Sequence, residues 1–287
     1  MTRIAVINGE AGWEALLPNC DVVRHRIQTC RWAVRGGRLF IFDRDEGGPV
    51  DGVLWRVGAI RPEPHHQTAL EAIALAGTPC VNRAAVLIRS ADRLAMLRAC
   101  REAGLRMLPF DVFSDTDLFG RSTDLGFGFP FVLKVGNLHG GFGKVLVRDA
   151  DIWPELRDLA FAANTYATIE PYVPHSRDVR CLLIGERLWA MERRGEGFRA
   201  NVDTRKARII DVPEELGAAT RRLATSLGAE LMAIDALETE KGFVVLESNE
   251  TPGLTGFPES TRESVADLLL KALNTQKVTP APSNEGR

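Results

Sequence analysis

The chain has 287 residues, 26% of them charged and 45% hydrophobic, and its 36 basic and 38 acidic side chains leave a net charge of −2. This composition is that of a folded globular protein with one large domain or two medium ones, and it excludes a disordered or fibrous chain. A charge so close to neutral gives no bulk attraction to nucleic acid or to anionic lipid. No signal peptide is visible, and the apolar runs fall well short of the roughly 20 residues that cross a bilayer. We therefore expect a cytoplasmic protein without nucleic-acid or membrane partners.

The cysteine and lysine contents are both informative. The five cysteines are far apart and form no C-x-x-C pair, which predicts reduced thiols and argues against a zinc site. The basic residues are 6 lysines and 30 arginines, and no lysine precedes Lys134. The positions that keep a lysine are therefore the first to examine for chemistry.

The first eighty residues alternate between strand-like and helical patterns. The runs RIAVIN, DVVRH, RLFIFD and GVLWRV predict strands, a helix is predicted over 67–76, and PCVN predicts a further strand. This order predicts an α/β domain with a parallel sheet over residues 1–86. Ser90 is then predicted to cap a helix that ends at Gly104.

Paired strands replace this pattern from Phe129 onward. FPFVLKV and GKVLVRD flank a glycine-rich turn, and YATIEPYV, RDVRCLLIG, ELMAIDALE and GFVVLESN follow. Helices are predicted after Pro154, between Pro213 and Gly228, and over 259–273. We expect a mainly antiparallel α+β domain over residues 87–275, followed by a flexible tail at 276–287.

The loop KVGNLHGGFGK places two of the six lysines, Lys134 and Lys144, at the ends of a segment with four glycines. Glycines let backbone amides approach anionic oxygens, and a lysine on the adjoining strand adds a compact positive charge for phosphate. The spacing matches neither the Walker nor the Rossmann pattern. A phosphate loop and a flexible hairpin with incidental lysines are both compatible with this segment.

Three oxygen-bearing side chains converge on the next predicted hairpin. A turn near Lys241 places Asp235 opposite Glu247, and Asn249 lies on the same face as Glu247. Directly opposed carboxylates are destabilising without a cation, and Mg²⁺ prefers such oxygen ligands. The alternative is a solvated hairpin, which the apolar runs around Asp235 and Glu247 disfavour.

A third group consists of Asp178 and Arg180 on one strand and Arg193, Arg199 and Asn201 downstream. Singly, each charged member is compatible with a surface ion pair. Around a phosphate and metal site, the same residues would stabilise negative charge. Arg56, in the first domain, is a candidate contact for a substrate carboxylate, with a surface pair as its alternative.

Lys134 before the glycine loop, Glu170-Pro171-Tyr172-Val173, the run at 178–180 and Glu247-x-Asn249 occur in the order seen in the ATP-grasp superfamily. RDVRCLLIGERLWAMERR, FRAN and ESNETPGLTGF resemble RimK-type ligases, whereas KVGNLHGGFGKV and TYATIEPYV are similar to synapsin, a nucleotide-binding relative. The resemblance implies an α/β amino-terminal domain followed by an α+β ATP-grasp domain, in which two subdomains with antiparallel sheets clasp ATP. The chain departs from the family pattern at Arg93, a position where the family has lysine.

The resemblance also assigns residues to roles. It implies ATP contacts from Arg93, Lys134, Gly140, Gly141, Gly143, Lys144, Glu170, Tyr172, Val173, Asp178, Arg199 and Asn201. It implies that Asp235, Glu247 and Asn249 bind two Mg²⁺ ions, with Mn²⁺ as a substitute. Lys134, Arg180 and Arg193 would be catalytic, with Lys134 contacting the triphosphate and the two arginines handling the substrate carboxylate and its acyl phosphate.

The implied activity is ATP-dependent ligation of a carboxylate to an amine through an acyl phosphate. The substrates would be a small amino acid or another small-molecule carboxylate and amine, or a peptide terminus, and the protein would form a homodimer or a homotetramer. Two alternatives remain open at this point. One is a synapsin-like ATP-binding regulatory module without ligase activity, and the other is a small-molecule kinase on the same fold.

Overall fold

The computed structural model describes residues 1–44, 46–58, 61–114, 125–163, 165–175, 177–195 and 204–278. The amino-terminal part contains the predicted parallel sheet. Its strands lie in the order β2-β1-β6-β7. The strands are β1 (Thr2–Ile7), β2 (Cys20–His25), β6 (Gly52–Trp55) and β7 (Cys80–Val81). Helices α1 (Trp13–Leu16) and α2 (Pro64–Leu75) accompany this sheet.

A separate antiparallel sheet interrupts this domain. It consists of β3 (Cys30–Arg35), β4 (Arg38–Asp43) and β5 (Glu46–Val50). RLFIFD is therefore a strand, as predicted, but it pairs in this meander and not in the parallel sheet. Gly36 and Gly37, both with positive φ, form the tight turn that joins β3 to β4.

Two short helices follow, α3 (Ala84–Ser90) and α4 (Arg93–Glu102). The prediction that Ser90 caps the second helix is wrong, because Ser90 ends α3 and its hydroxyl donates to the carbonyl of Val86 at 2.7 Å. The cap is Asp92, whose Oδ1 accepts from the backbone N–H groups of Leu94 and Ala95. A carboxylate suits this position because it accepts otherwise unpaired N–H groups at the positive end of the helix.

The second part of the chain contains two antiparallel sheets. The small sheet has the order β10-β9-β11-β8 and packs on α5 (Trp153–Ala162). Its strands are β8 (Asp111–Phe113), β9 (Phe131–Val135), β10 (Lys144–Val147) and β11 (Ala167–Pro171). The side chains of Phe131, Leu133 and Ile169 are almost wholly buried in its core.

The large sheet has the order β14-β13-β12-β15-β16. Its strands are β12 (Arg177–Ile184), β13 (Arg187–Gly195), β14 (Thr204–Ile210), β15 (Leu231–Thr239) and β16 (Gly242–Asn249). Helix α6 (Glu214–Leu227) ends at Gly228, which adopts a left-handed conformation, as the Pro213 to Gly228 pattern predicts. Helix α7 (Ser260–Val278) runs beyond the predicted end at Leu273.

The two faces of the large sheet pack against different partners. Val179, Cys181 and Leu183 of β12 face a core with α3, α4 and α6. Leu182 and Ile184 face a second core that includes β1, β6 and α7. The amino-terminal sheet therefore shares a hydrophobic core with the large sheet, which fixes the carboxyl ends of β1 and β6 beside the loop after β16. The predicted division into domains stays a prediction, and its boundary at residue 86 falls inside α3.

Among the described helices, none is both long and apolar enough to cross a membrane. All five cysteines are free thiols, and three of them, Cys80, Cys100 and Cys181, are buried. This agrees with the reduced thiols expected from their spacing.

Candidate functional site

A cleft between the small and the large sheet is lined by nine residues of the predicted site. They are Lys134, Lys144, Glu170, Tyr172, Val173, Asp178, Arg193, Asp235 and Glu247. These residues come from β9, β10, β11 and its following loop, β12, β13, β15 and β16. Residues dispersed over more than one hundred positions in the sequence thus meet in one place.

Lys134 lies one residue before the end of β9, where it pairs with Thr168 of β11 and Lys144 of β10. It is 5% exposed, and its Nζ lies 2.5 Å from Oε1 of Glu170. Burial lowers the pKa of Lys134. The positive charges of Lys144 and Arg93 lower it further, whereas the carboxylate of Glu170 raises it. The lysine is therefore a buried cation held by one carboxylate, in a position where an anionic ligand would be attracted.

The glycine-rich loop between β9 and β10 is closed by a hydrogen bond from the Val135 N–H to the Gly143 carbonyl, at 2.9 Å. Gly143 has φ 65°, and a Cβ there would lie 2.9 Å from the Val135 carbonyl oxygen and 2.7 Å from Leu138. A side chain at position 143 would therefore clash with the loop itself. Gly140 and Gly141 also have positive φ, so the loop is shaped by its glycines, as predicted.

The same loop is anchored to the start of α4. The Asn137 side chain accepts from the Arg93 N–H at 3.0 Å and donates to the Ala91 carbonyl at 2.8 Å. The Arg93 guanidinium donates to the Leu138 carbonyl, and its Nη1 lies 3.9 Å from Oε2 of Glu247. Arg93 is 3% exposed. Its planar fork reaches both the loop and the acidic hairpin.

Asp235 and Glu247 are directly opposed on β15 and β16, as predicted, but the reason includes an irregularity of the hairpin. The turn pairs Thr239 with Gly242, and a regular ladder would bring Leu246 opposite Asp235. A bulge in β16 inserts one residue, so that Glu247 takes that place. The bulge therefore places the second carboxylate in the cleft.

Asp235 is held by two arginines. Arg180, opposite it on β12, donates from Nε and Nη2 to its two oxygens, each at 2.7 Å. Arg193 Nη2 lies 3.1 Å from Oδ1 of Asp235, and Arg193 Nε donates to Asp178 at 2.9 Å. The predicted members Asp178, Arg180, Arg193 and Asp235 thus form one buried network.

The charges around Asp235 and Glu247 keep both carboxylates ionised. Burial raises the pKa values of both carboxyl groups. The neighbouring arginines outweigh this effect at Asp235, and Lys144 and Arg93 outweigh it at Glu247, so that both pKa values are lowered. Lys144 Nζ donates to Glu247 at 2.8 Å. Two ionised carboxylates on neighbouring strands fit a divalent cation by their donor chemistry.

The third predicted ligand, Asn249, is two residues further along β16, with its Oδ1 accepting from the Thr251 N–H at 3.0 Å. Among the described residues no cluster of three His, Cys, Asp or Glu side chains is arranged for a metal. Two carboxylates and one amide would thus leave coordination positions for phosphate oxygens and water, which is the usual situation of Mg²⁺.

The cleft also has apolar walls, which the sequence motifs do not indicate. Leu108, Val132, Leu237 and Leu246 line it together with the hinge residues Glu170 to Val173. Two of them could have been found, because Val132 precedes Lys134 by two positions and Leu237 follows Asp235 by two, which places each on the same strand face. Such walls suit the flat apolar faces of a purine base.

A second cavity, of about 360 Å³, lies between the glycine loop and the amino-terminal domain. It is lined by His139 and Gly140 of the loop, by Asn249 and Glu250, and by Trp55 and Leu70 of the first domain, among others. The predicted phosphate and metal residues therefore border two cavities, with Lys134 and Glu247 at the first and Gly140 and Asn249 at the second. Arg199 and Asn201, both predicted to face phosphate, lie outside the described residues.

The fold and the cleft define the class of this protein. Two antiparallel sheets enclosing a cleft with buried cations and paired carboxylates are the ATP-grasp architecture. Solved structures agree: a RimK domain ATP-grasp protein from Sphaerobacter thermophilus superposes with a TM-score of 0.69 at 23% identity, covering 94% of this chain and 100% of that one. D-alanyl-alanine synthetase A from Vibrio cholerae gives a TM-score of 0.72 at 14% identity, covering 97% and 99%.

The family follows from the sequence comparison. The model of the RimK-like ATP-grasp domain matches residues 114–273, more than half of the chain, and the protein belongs to that family. A protein named probable alpha-L-glutamate ligase from Vibrio atlanticus is 26% identical over 244 residues, which cover 83% of this chain and 80% of the relative. The protein is thus an ATP-grasp enzyme that ligates a carboxylate to an amine with ATP and a divalent metal.

Proposed function

We propose that this enzyme joins an amino acid to the carboxylate of a small molecule or a peptide terminus through an acyl phosphate, and that L-glutamate is the first amino acid to test. The choice of glutamate is supported by the name of the Vibrio atlanticus relative, probable alpha-L-glutamate ligase. The residue roles below are part of the same proposal.

The observation that carries the proposal is the concentration of buried positive charge at one cleft, which Lys134, Lys144 and Arg193 line, while Arg93 and Arg180 pair with its carboxylates. Lys134, Lys144, Arg93, Arg180 and Arg193 all have side chains at most 16% exposed. Cations held in a low-dielectric cleft stabilise negative charge far better than the same groups do in water. Phosphoryl transfer needs this kind of stabilisation, because charge spreads over the transferring group while the enzyme forms no covalent bond to it.

In the first step, a carboxylate oxygen of the substrate attacks the γ-phosphorus of ATP, a new P–O bond forms, and the bond to the β-phosphate oxygen breaks to release ADP. Lys134 and Lys144 would bind the phosphate oxygens, with the glycine loop supplying backbone N–H groups. Arg180 would orient the carboxylate, and Arg193 would hold Asp178 and Asp235 in position while contacting the acyl phosphate.

In the second step, the amine of the other substrate, after losing a proton, attacks the acyl carbon. The C–N bond forms, the C–O bond to phosphate breaks, and inorganic phosphate leaves with the second proton that the nitrogen loses. A divalent metal held by Asp235, Glu247 and Asn249 would neutralise phosphate charge when bound, and we propose two such ions. Bringing the acyl phosphate and amine together in a cavity that excludes bulk water would favour aminolysis over hydrolysis.

The test is turnover of the purified protein with ATP and Mg²⁺ in the presence of paired pools of carboxylates and amino acids. We expect stoichiometric ADP and inorganic phosphate with one pair of pools, and a product whose mass equals the sum of the substrates minus water. ADP without inorganic phosphate would instead indicate a kinase. ATP binding without ADP release in any pool would contradict the ligase proposal for these substrates and favour a regulatory ATP-binding module.

A further inference from the structure

Two arginines and a tryptophan meet where the amino-terminal domain touches the ATP-grasp domain. Arg56 directly follows β6, Arg262 lies in the first turn of α7, and Trp13 begins α1. The side chains of Arg56 and Arg262 are 6% and 20% exposed, and Trp13 is fully buried. The guanidinium carbons lie 6.0 and 4.8 Å from the centroid of the Trp13 ring. Two cations thus share one aromatic ring at the domain junction.

Several donors of this group have no acceptor. Arg56 Nη2 donates to the Pro252 carbonyl at 3.0 Å, and Arg262 donates to the Ala11 carbonyl and to Glu259. Four other nitrogens are buried without any hydrogen-bond partner: Arg56 Nε and Nη1, Arg262 Nε, and Trp13 Nε1. A buried donor left unpaired is destabilising, because it loses its hydrogen bonds to water without gaining others, and four such donors meet here.

The carboxylate of Glu10 forms long ion pairs with both arginines but accepts no hydrogen bond from these donors. Its oxygens lie 3.9 Å from Nε of Arg56 and 3.9 Å from Nε of Arg262, beyond hydrogen-bond distance. Its side chain is 48% exposed. The Glu10 side of the cluster therefore borders solvent, and the electrostatic field of the arginine pair favours a carboxylate there.

The loop after β1 is shaped to lie against these donors. A Cβ at Gly9 would be 3.3 Å from Trp13 Nε1 and 3.4 Å from Cγ of Arg56, and a Cβ at Gly12 would be 3.3 Å from Nη2 of Arg262. Gly12 also has φ 94°. The two glycines thus keep side chains away from the cluster.

The cluster is next to the reaction site. Trp55, which precedes Arg56, lines the 360 Å³ cavity together with His139, Gly140 and Asn249. Arg56 also binds the carbonyl of Pro252, three residues beyond Asn249. This hydrogen bond places the Arg56 guanidinium beside the loop that follows Asn249.

We propose that Arg56, Arg262 and Trp13 bind a carboxylate of the amino-acid or peptide substrate, one that the reaction does not consume. Guanidinium and indole N–H groups are strong donors to carboxylate oxygens, and a carboxylate accepts several such bonds at once. That this carboxylate belongs to the substrate rests on the proposed function, whereas the binding of a carboxylate by these residues is independent of it. Arg56 and Arg262 would therefore select substrates that carry a free acid at this end.

Binding is tested by the indole N–H resonances of the full-length ¹⁵N-labelled protein, which has five tryptophans. The Trp13 resonance is identified with Trp13→Phe, or by elimination with Phe at the other four tryptophans should that variant not fold. Potassium acetate and potassium glutarate are titrated against potassium chloride of equal ionic strength. We expect a saturable downfield shift of the Trp13 resonance with at least one carboxylate, and a Kd at least tenfold higher in Arg56→Gln and Arg262→Gln.

Arg38→Gln is the matched control, because Arg38 pairs with Asp51 at the surface, and its Kd should equal that of the wild type. A linear shift equal to that with chloride, or an unchanged Kd in both arginine variants, overturns the proposal. Once a ligation pair is identified, Arg56→Gln should raise KM for the free acid at least tenfold, with KM for ATP within twofold. Saturable binding of a carboxylate without any ligation activity would contradict the proposed function alone. Ligation with a KM for the free acid that is unchanged in Arg56→Gln would contradict the carboxylate site.

Discussion

Lys144 Nζ lies 2.8 Å from Glu247 Oε2, and this contact joins the two sheets that enclose the cleft. Lys144 begins β10 on the small sheet, and Glu247 lies beyond the bulge of β16 on the large one. Both side chains are less than one-fifth exposed. The pair therefore links the loop proposed to bind phosphate to the carboxylate proposed to bind metal.

Replacing Lys144 by Met should lower kcat/KM for ATP by roughly 10²–10³-fold, the range found when one group that stabilises developing charge is removed from an active site. Lys241→Met is the control, because Lys241 is exposed in the turn of the β15–β16 hairpin, which carries Glu247. Steady-state ADP release measures both. A Lys144→Met enzyme with the wild-type rate would exclude this lysine from the site.

Lys134 and Glu170 form a second buried pair, and we expect them to be strongly coupled in stability. Glu170→Gln leaves the buried ammonium of Lys134 near Lys144 and Arg93 with its closest carboxylate removed, which should destabilise the fold by about 3 kcal/mol. The double variant Lys134→Met/Glu170→Gln should recover most of that loss, since neither charge is then buried alone.

Urea unfolding of the two single variants and the double variant measures this coupling. Asp158→Asn serves as the control, because Asp158 pairs with Arg157 at the surface, where an ion pair contributes at most about 1 kcal/mol. Equal losses for Glu170→Gln and Asp158→Asn would contradict the assignment of a coupled buried pair.

Local sequence patterns were enough to predict part of the site. Two scarce lysines around four glycines indicated the loop, and the hairpin pattern indicated that Asp235 opposes Glu247. Such predictions succeed because a short turn or a strand period fixes which residues are neighbours. Even here the bulge at Leu246, which brings Glu247 into place, has no sequence signal of its own.

The pairing of strands that are distant in the sequence could not be predicted from local patterns. The network of Asp178, Arg193 and Asp235 depends on how β12 aligns with β13 and β15, and β15 is separated from β12 by two strands and a helix. In a chain with 30 arginines, nothing local distinguishes a buried Arg193 from an exposed Arg194. The wrong cap at Ser90 has a local cause, since Ser and Asp compete for that role and Asp92 is two residues away.

The Mg²⁺ concentration that the enzyme requires should depend on Glu247 and Asn249 and not on a neighbouring carboxylate. Glu247→Gln and Asn249→Ala should each raise the Mg²⁺ concentration for half-maximal activity at least about tenfold, because each removes an oxygen donor of the proposed site. Glu238→Gln is the control: Glu238 lies on β15, three residues from Asp235, and forms two hydrogen bonds with Arg177. A Mg²⁺ dependence unaltered in both Glu247→Gln and Asn249→Ala would remove this hairpin from the metal site.

Three histidines should make the fold less stable in weak acid. Burial lowers the pKa of His25, His66 and His139 below the usual 6.5, with Arg93 adding to the effect at His139. As the pH falls through 6.5, the unfolded chain takes up protons at these sites and the folded protein does not. The free energy of unfolding therefore decreases, by at most about 1.4 kcal/mol per pH unit for each histidine.

His139 offers the sharpest test of this effect, because it lies in the glycine loop beside Arg93. His139→Gln removes one titrating group, so its unfolding free energy should decrease less steeply than that of the wild type between pH 7 and pH 5. His175→Gln, two residues beyond the hinge, is the comparison and controls for the loss of a ring elsewhere in the cleft. Parallel pH profiles for His139→Gln and the wild type in urea unfolding would show that the folded loop accepts the proton as readily as the unfolded chain.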